Sequence, residues 1–132
     1  MGFEISRIER NELELLQQFN LELPDFSMEP IYLDTYTVAG TSHLQDVVAV
    51  AELLYKEMPV RLIREDNRYD DLAILIRTDD EKKIKIGYIP RKQNTILAHL
   101  LDGGKKISAK VTEYDIESRD YLKILVAVYL DD

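Results

Sequence analysis

Between Pro59 and Pro90 three apolar runs are separated by only two short polar interruptions, and this spacing limits the fold more than any other feature of the chain. The runs are PVRLIR, LAILIRT and IKIGYIP; the interruptions are EDNRYDD and DDEKK. A parallel pair of strands needs a crossover of roughly a dozen residues or more, so neighbours joined by such short links run antiparallel. In the third run Ile84, Ile86 and Tyr88 alternate with Lys85 and Gly87, the period of a strand, until Pro90 ends it.

The flanking segments extend this pattern. IYLDTYTVAG, from Ile31 to Gly40, is rich in aromatic and β-branched residues and reads as a strand, as do KISAKVTEY and YLKILVAVYL further on. Thr41 to Leu44 form a short loop. In QDVVAVAELLYKEM, residues 45–58, Val47, Val48, Val50, Ala51 and Leu54 crowd one helical side, Asp46 supplies an acid to the first turn, and Pro59 closes the segment. QNTILAHLLDGG predicts a helix over 93–104 with Ile96, Leu97, Leu100 and Leu101 as its stripe and Gly103 or Gly104 as a left-handed cap. A first helix over 7–19 is expected from the Ser6 to Glu9 capping box and from Ile8, Leu13, Leu15, Leu16 and Phe19, followed by a connector punctuated by Pro24 and Pro30. We therefore expect an N-terminal helix and linker over 1–30 and one domain over 31–132. The order helix, strand, helix, three strands, helix, two strands fits a mainly β, α+β domain: a small, mostly antiparallel β-barrel with about two flanking helices.

Composition narrows the function classes. At 132 residues and 45% hydrophobic content, the chain suits one domain; a domain of this size buries about two-thirds of its unfolded surface. Cysteine is absent, which excludes a disulfide framework and a thiolate nucleophile. MGFEISRIERNELELL has no basic start followed by an apolar core, and no run approaches the ~18 apolar residues of a membrane span, so a soluble, cytoplasmic protein without a membrane partner is expected. The net charge of −8 is unevenly spread. Residues 1–81 carry 7 basic and 18 acidic side chains, residues 82–110 carry 8 basic and 1 acidic, and residues 111–132 carry 2 basic and 6 acidic, giving −11, +7 and −4. The central block is either an anion-binding face or a set of solvated lysines. Were five of its cations to meet single-stranded phosphates, log affinity would fall against log salt with a slope of about −3.5.

The candidate chemistry is sparse. Glu65, Asp66, Asp70 and Asp71 form a carboxylate cluster, but their spacing lacks the central Gly and distal Glu of a calcium loop, and a polar turn explains them better than a metal site. The glycines of DGGKKIS follow a helix, whereas a phosphate-binding loop precedes one. His43 lies in a loop beside Gly40, and His99 lies in a helical pattern; neither joins a nucleophile or base in a catalytic set. We expect no enzyme activity and no cofactor. Tyr69 and Tyr88 sit beside charged groups, where a ring either stacks on a base or plugs the end of the barrel.

LIREDNRYDDLAILI followed by IGYIPRKQNTILAHLLDGG resembles the HIRAN domain, found in certain helicases and as stand-alone bacterial proteins. The resemblance runs from about Tyr32 to Tyr129 and includes Val38, Ala39, Gly40 and Thr41. It implies an OB-like barrel, no catalysis, and a module that binds single-stranded DNA or DNA 3′ ends in replication or repair; a separately encoded helicase or nuclease partner is compatible with it. Carried over, Asp70 accepts a hydrogen bond from the terminal hydroxyl, Tyr69 stacks on a base, Asn67 holds the turn, and Tyr88 and Arg91, with Lys92 beside them, lie along phosphates. Ser42, His43 and Leu44 stand where end-binding members present a basic residue and two aromatics. Two other readings stay open: a protein-interaction adaptor that uses the helix over 7–19, and a metal-dependent nuclease built on the carboxylate cluster.

Overall fold

The computed structural model describes residues 29–118 and 121–131. The helix expected over 7–19 lies outside them. Six strands, β1 (Ile31–Thr37), β2 (Pro59–Asn67), β3 (Asp70–Thr78), β4 (Lys85–Tyr88), β5 (Ile107–Ser118) and β6 (Tyr121–Leu130), form one sheet in the order β1-β6-β5-β2-β3-β4. Every neighbouring pair is antiparallel. Helix α1 (Val47–Leu53) follows β1, and α2 (Thr95–Asp102) joins β4 to β5.

The sheet curls until its two edge strands meet at one point. Beyond the end of β1, the Ala39 amide donates to the Tyr88 carbonyl at 2.8 Å and the Tyr88 amide donates back to Ala39 at 2.9 Å. Among the described residues this bridge is the one pairing between the two edges, so the expected barrel is a curled, incompletely closed sheet. Gly87 permits the approach: a Cβ there would fall against Val38 Cγ1 and 2.5 Å from the Ala39 carbonyl oxygen. Within the curl, Ile74, Ile76, Ile86, Val111, Leu122, Ile124, Val126 and Val128 are fully buried. Each such side chain contributes roughly 1.5–3 kcal/mol by leaving water. Val47, Val50 and Ala51 from α1 and Leu97 and Ala98 from α2 join this core.

Element limits depart from the sequence pattern where tertiary pairing overrides local preference. The helix expected over 45–58 stops at Leu53, because the chain then pairs with β5: the Glu57 amide donates to Val111 at 2.7 Å and the Val111 amide to Met58 at 2.8 Å. Glu57 takes a φ of 69° to make that turn, and its carboxylate pairs with Lys110. Helix α2 starts two residues later than its pattern because Arg91–Gln93 form a 3-10 turn. Of its two glycines Gly104 is the left-handed one, with φ 82°, and the Gly104 and Lys105 amides donate to Leu101 and Leu100, both at 3.0 Å. That pair of bonds is a Schellman ending.

Candidate functional site

The polar knot between Leu62 and Leu72 is a hairpin tip, with strand structure reaching Asn67 on one side and Asp70 on the other. Only Arg68 and Tyr69 lie between the paired residues Asn67 and Asp70. Two-residue hairpin loops normally need positive φ, yet neither Arg68 nor Tyr69 adopts it. Two devices replace it. The register shifts between Glu65 and Asn67, a bulge at Asp66, and the Asn67 side-chain oxygen accepts from the Tyr69 amide at 2.9 Å and the Asp70 amide at 2.8 Å.

Arg64 fixes the base of this tip. Its guanidinium donates to both Asp102 oxygens at 2.9 and 3.2 Å, and to the carbonyls of Ala73 at 2.7 Å, Asp71 at 3.1 Å and Glu65 at 3.2 Å. A planar fork serves this arrangement in a way an ammonium cannot. The hairpin is thereby tied to the C-terminal end of α2.

One side of the tip walls an open cleft of about 800 Å³. Two carboxylates stand there. Asp70 accepts from the Leu72 amide at 2.9 Å through Oδ1 and from Asn94 Nδ2 at 2.8 Å through Oδ2. Each carboxylate oxygen carries two lone pairs, so Asp70 keeps acceptor capacity toward the cleft. Glu65 Oε1 accepts from Asn67 Nδ2 and from the Tyr88 hydroxyl, both at 2.9 Å. Burial first, then this bond and the negative charge of Glu65, hold the Tyr88 phenol above the ordinary tyrosine range, so it stays a donor. Facing the carboxylates are His43, Lys85 and Arg91. The Lys85 ammonium lies 4.7 Å from the centre of the Tyr88 ring. Tyr69 projects from the tip with 73% exposure, and the Arg68 guanidinium lies 5.2 Å from its ring centre.

Of the residues singled out in the sequence, Asn67, Tyr69, Asp70, Tyr88, Arg91 and His43 line this cleft, and Lys92 does not. Lys92 follows Arg91 in the exposed 3-10 turn, where successive side chains diverge. At Tyr88 the hydroxyl donates to Glu65 and the ring carries Lys85. The carboxylates of the acidic cluster are likewise not gathered, since Glu65 and Asp70 face the cleft with separate partners while Asp66 and Asp71 are exposed outside it. Among the described residues no three His, Asp or Glu side chains are grouped to hold a metal ion, and no helix is long and apolar enough to cross a membrane.

Sequence reasoning missed Lys85, Asn94 and Arg64. Asn94, 1% exposed, falls inside the helical run expected from the sequence; in the structure it stands at the N-cap position, makes no side-chain cap bond and turns to Asp70 instead. Lys85 was visible only as one member of the basic block.

A family model described as the HIRAN domain matches residues 32–131. Among solved structures, a protein from Lactobacillus plantarum is 36% identical with a TM-score of 0.63, the match covering 76% of this chain and 97% of that one. The crystal structure of the HIRAN domain of human HLTF aligns with a TM-score of 0.57 at 18% identity over 77% of each chain, a likeness of fold. No curated protein matches the chain.

Proposed function

The chain belongs to the HIRAN domain family, and from that premise we propose that it is a non-catalytic module that takes the 3′ end of single-stranded DNA into the cleft. The observation that carries the reading is Asp70. Its carboxylate is fixed by two protein donors at the cleft wall and still has lone pairs for a hydroxyl, while Lys85 and Arg91 line the same cleft. A terminal hydroxyl donates to a carboxylate; a terminal phosphate is repelled by Asp70 and Glu65. Tyr69, exposed at the tip, supplies a ring for the last base, a contact that contributes about 1–3 kcal/mol when made.

Fluorescence anisotropy with a 5′-labelled oligonucleotide tests this. The 3′-hydroxyl form binds more tightly than the 3′-phosphate form or duplex DNA. Asp70→Asn weakens the hydroxyl form by about tenfold or more, the scale of one hydrogen bond to a charged group. Absence of binding at low salt overturns the reading, whereas equal binding of both 3′ forms overturns only the hydroxyl contact. The oligonucleotide is recovered intact after incubation with Mg2+ if the module is non-catalytic. On this reading the protein serves replication or repair by presenting ends to a helicase or nuclease, and such an enzyme is recruited to 3′-hydroxyl ends only in its presence.

A further inference from the structure

A second groove, of about 500 Å³, adjoins the cleft, and His43 and Lys85 are walls of both. The apolar part of the second groove comes from Leu44, Val50, Leu53 and Ile84, contributed by the loop after β1, by α1 and by the turn before β4. Gln45 and Asp46 complete the polar part of its lining. Asp46 is engaged, its Oδ1 accepting from the Ala49 amide at 3.0 Å. The Gln45 carboxamide is exposed, with donor and acceptor both open to a ligand.

We propose that this second groove binds the nucleotide on the 5′ side of those in the cleft. Its base lies on the apolar floor, and the phosphate that links it to the cleft crosses the ridge made by His43 and Lys85. The inference rests on the cleft being the site of a single-stranded 3′ end, and it adds where the rest of the strand goes. Charge selects the direction. At the hairpin tip a strand leaving the cleft would pass Asp66 and Asp71, both exposed, in addition to Glu65 and Asp70. At the other end it meets a lysine whose ammonium is held over the Tyr88 ring, between the two depressions. Beyond that ridge the lining is mainly apolar, with Gln45 and Asp46 on its polar side, which suits the face of an unstacked base, and Gln45 offers both hydrogen-bonding senses to its edge. The volume lies within the roughly 300–1,000 Å³ of ordinary ligand clefts.

Competition binding with 3′-hydroxyl thymidine oligonucleotides of increasing length, run on the wild type, Ala49→Trp and Leu53→Ala, decides the matter. Ala49 is an exposed lining residue whose enlargement fills the groove, and Leu53→Ala is a milder change should the tryptophan disturb folding. Wild-type affinity rises about tenfold when a third nucleotide is added to a dinucleotide, then levels off. Both variants keep the dinucleotide affinity and lose most of the rise. A rise undiminished in both variants, or no rise in the wild type while the dinucleotide binds, overturns the second subsite and leaves the end-binding reading standing. Failure of every length to bind overturns both.

Discussion

At the scale of residues, the site depends on a buried carboxamide that holds a carboxylate. Asn94, 1% exposed, donates to Asp70 at 2.8 Å across 24 positions of sequence. Asn94→Ala therefore lowers stability by about 1.5–3 kcal/mol in urea denaturation, the scale of a hydrogen bond to a charged group. Combined with Asp70→Ala it adds little, because the interaction is already gone. Additive losses in that double-mutant cycle would disprove the link. The most legible residues were those in the tip itself: Asn67, Tyr69 and Asp70 lie within one short polar stretch whose turn chemistry is local, while His43, Tyr88 and Arg91, from three other stretches, are placed through the resemblance. Asn94 and Arg64 were not legible as site residues because their partners are distant in sequence, and Lys85 because alternation alone does not say which cleft a strand residue lines. Only folding brings Arg64 to Asp102 or Asn94 to Asp70.

At the scale of elements, alternation and short links identified the strands, because a strand's side chains report directly which face is buried. Helix limits were less legible. No breaker stands between the apolar stripe of Val47 to Leu54 and Pro59 in the sequence, but the backbone at Glu57 and Met58 finds better partners on β5 than in another helical turn. The bridge between β1 and β4 was invisible, since a glycine in a strand-like run does not say which backbone approaches it. Its energetic weight is testable. Gly87→Ala forces a methyl against Val38 and the Ala39 carbonyl and costs about 3 kcal/mol, in the range of overpacking, whereas Gly104→Ala meets no atom within 4 Å and costs only the left-handed backbone penalty of about 1–2 kcal/mol. Thermal denaturation ranks the two variants, and a larger loss at Gly104 would contradict the close approach.

At the scale of the whole molecule, the acidic total does not forbid a polyanionic partner, but the structure reduces the electrostatic share. Of the eight basic residues in 82–110, only Lys85 and Arg91 line the cleft. Lys110 is paired with Glu57, and Lys105 and Lys106 follow α2 on exposed chain. Two phosphate contacts give a salt slope of about −1.4, against the −3.5 expected if five cations took part. Anisotropy across a salt series separates these values, and the steeper one would place DNA on surfaces outside the cleft. The incomplete closure of the sheet has one more consequence. Tyr88 is both half of the bridge that joins the sheet edges and a wall of the cleft, so a ligand packed on Tyr88 also rests on the seam. In a deuterium-exchange experiment, bound oligonucleotide slows uptake at the Ala39 and Tyr88 amides, while the interior strands β5 and β6 exchange at their unliganded rates. Unchanged uptake at both amides on binding would show that the seam does not sense whether the cleft is filled.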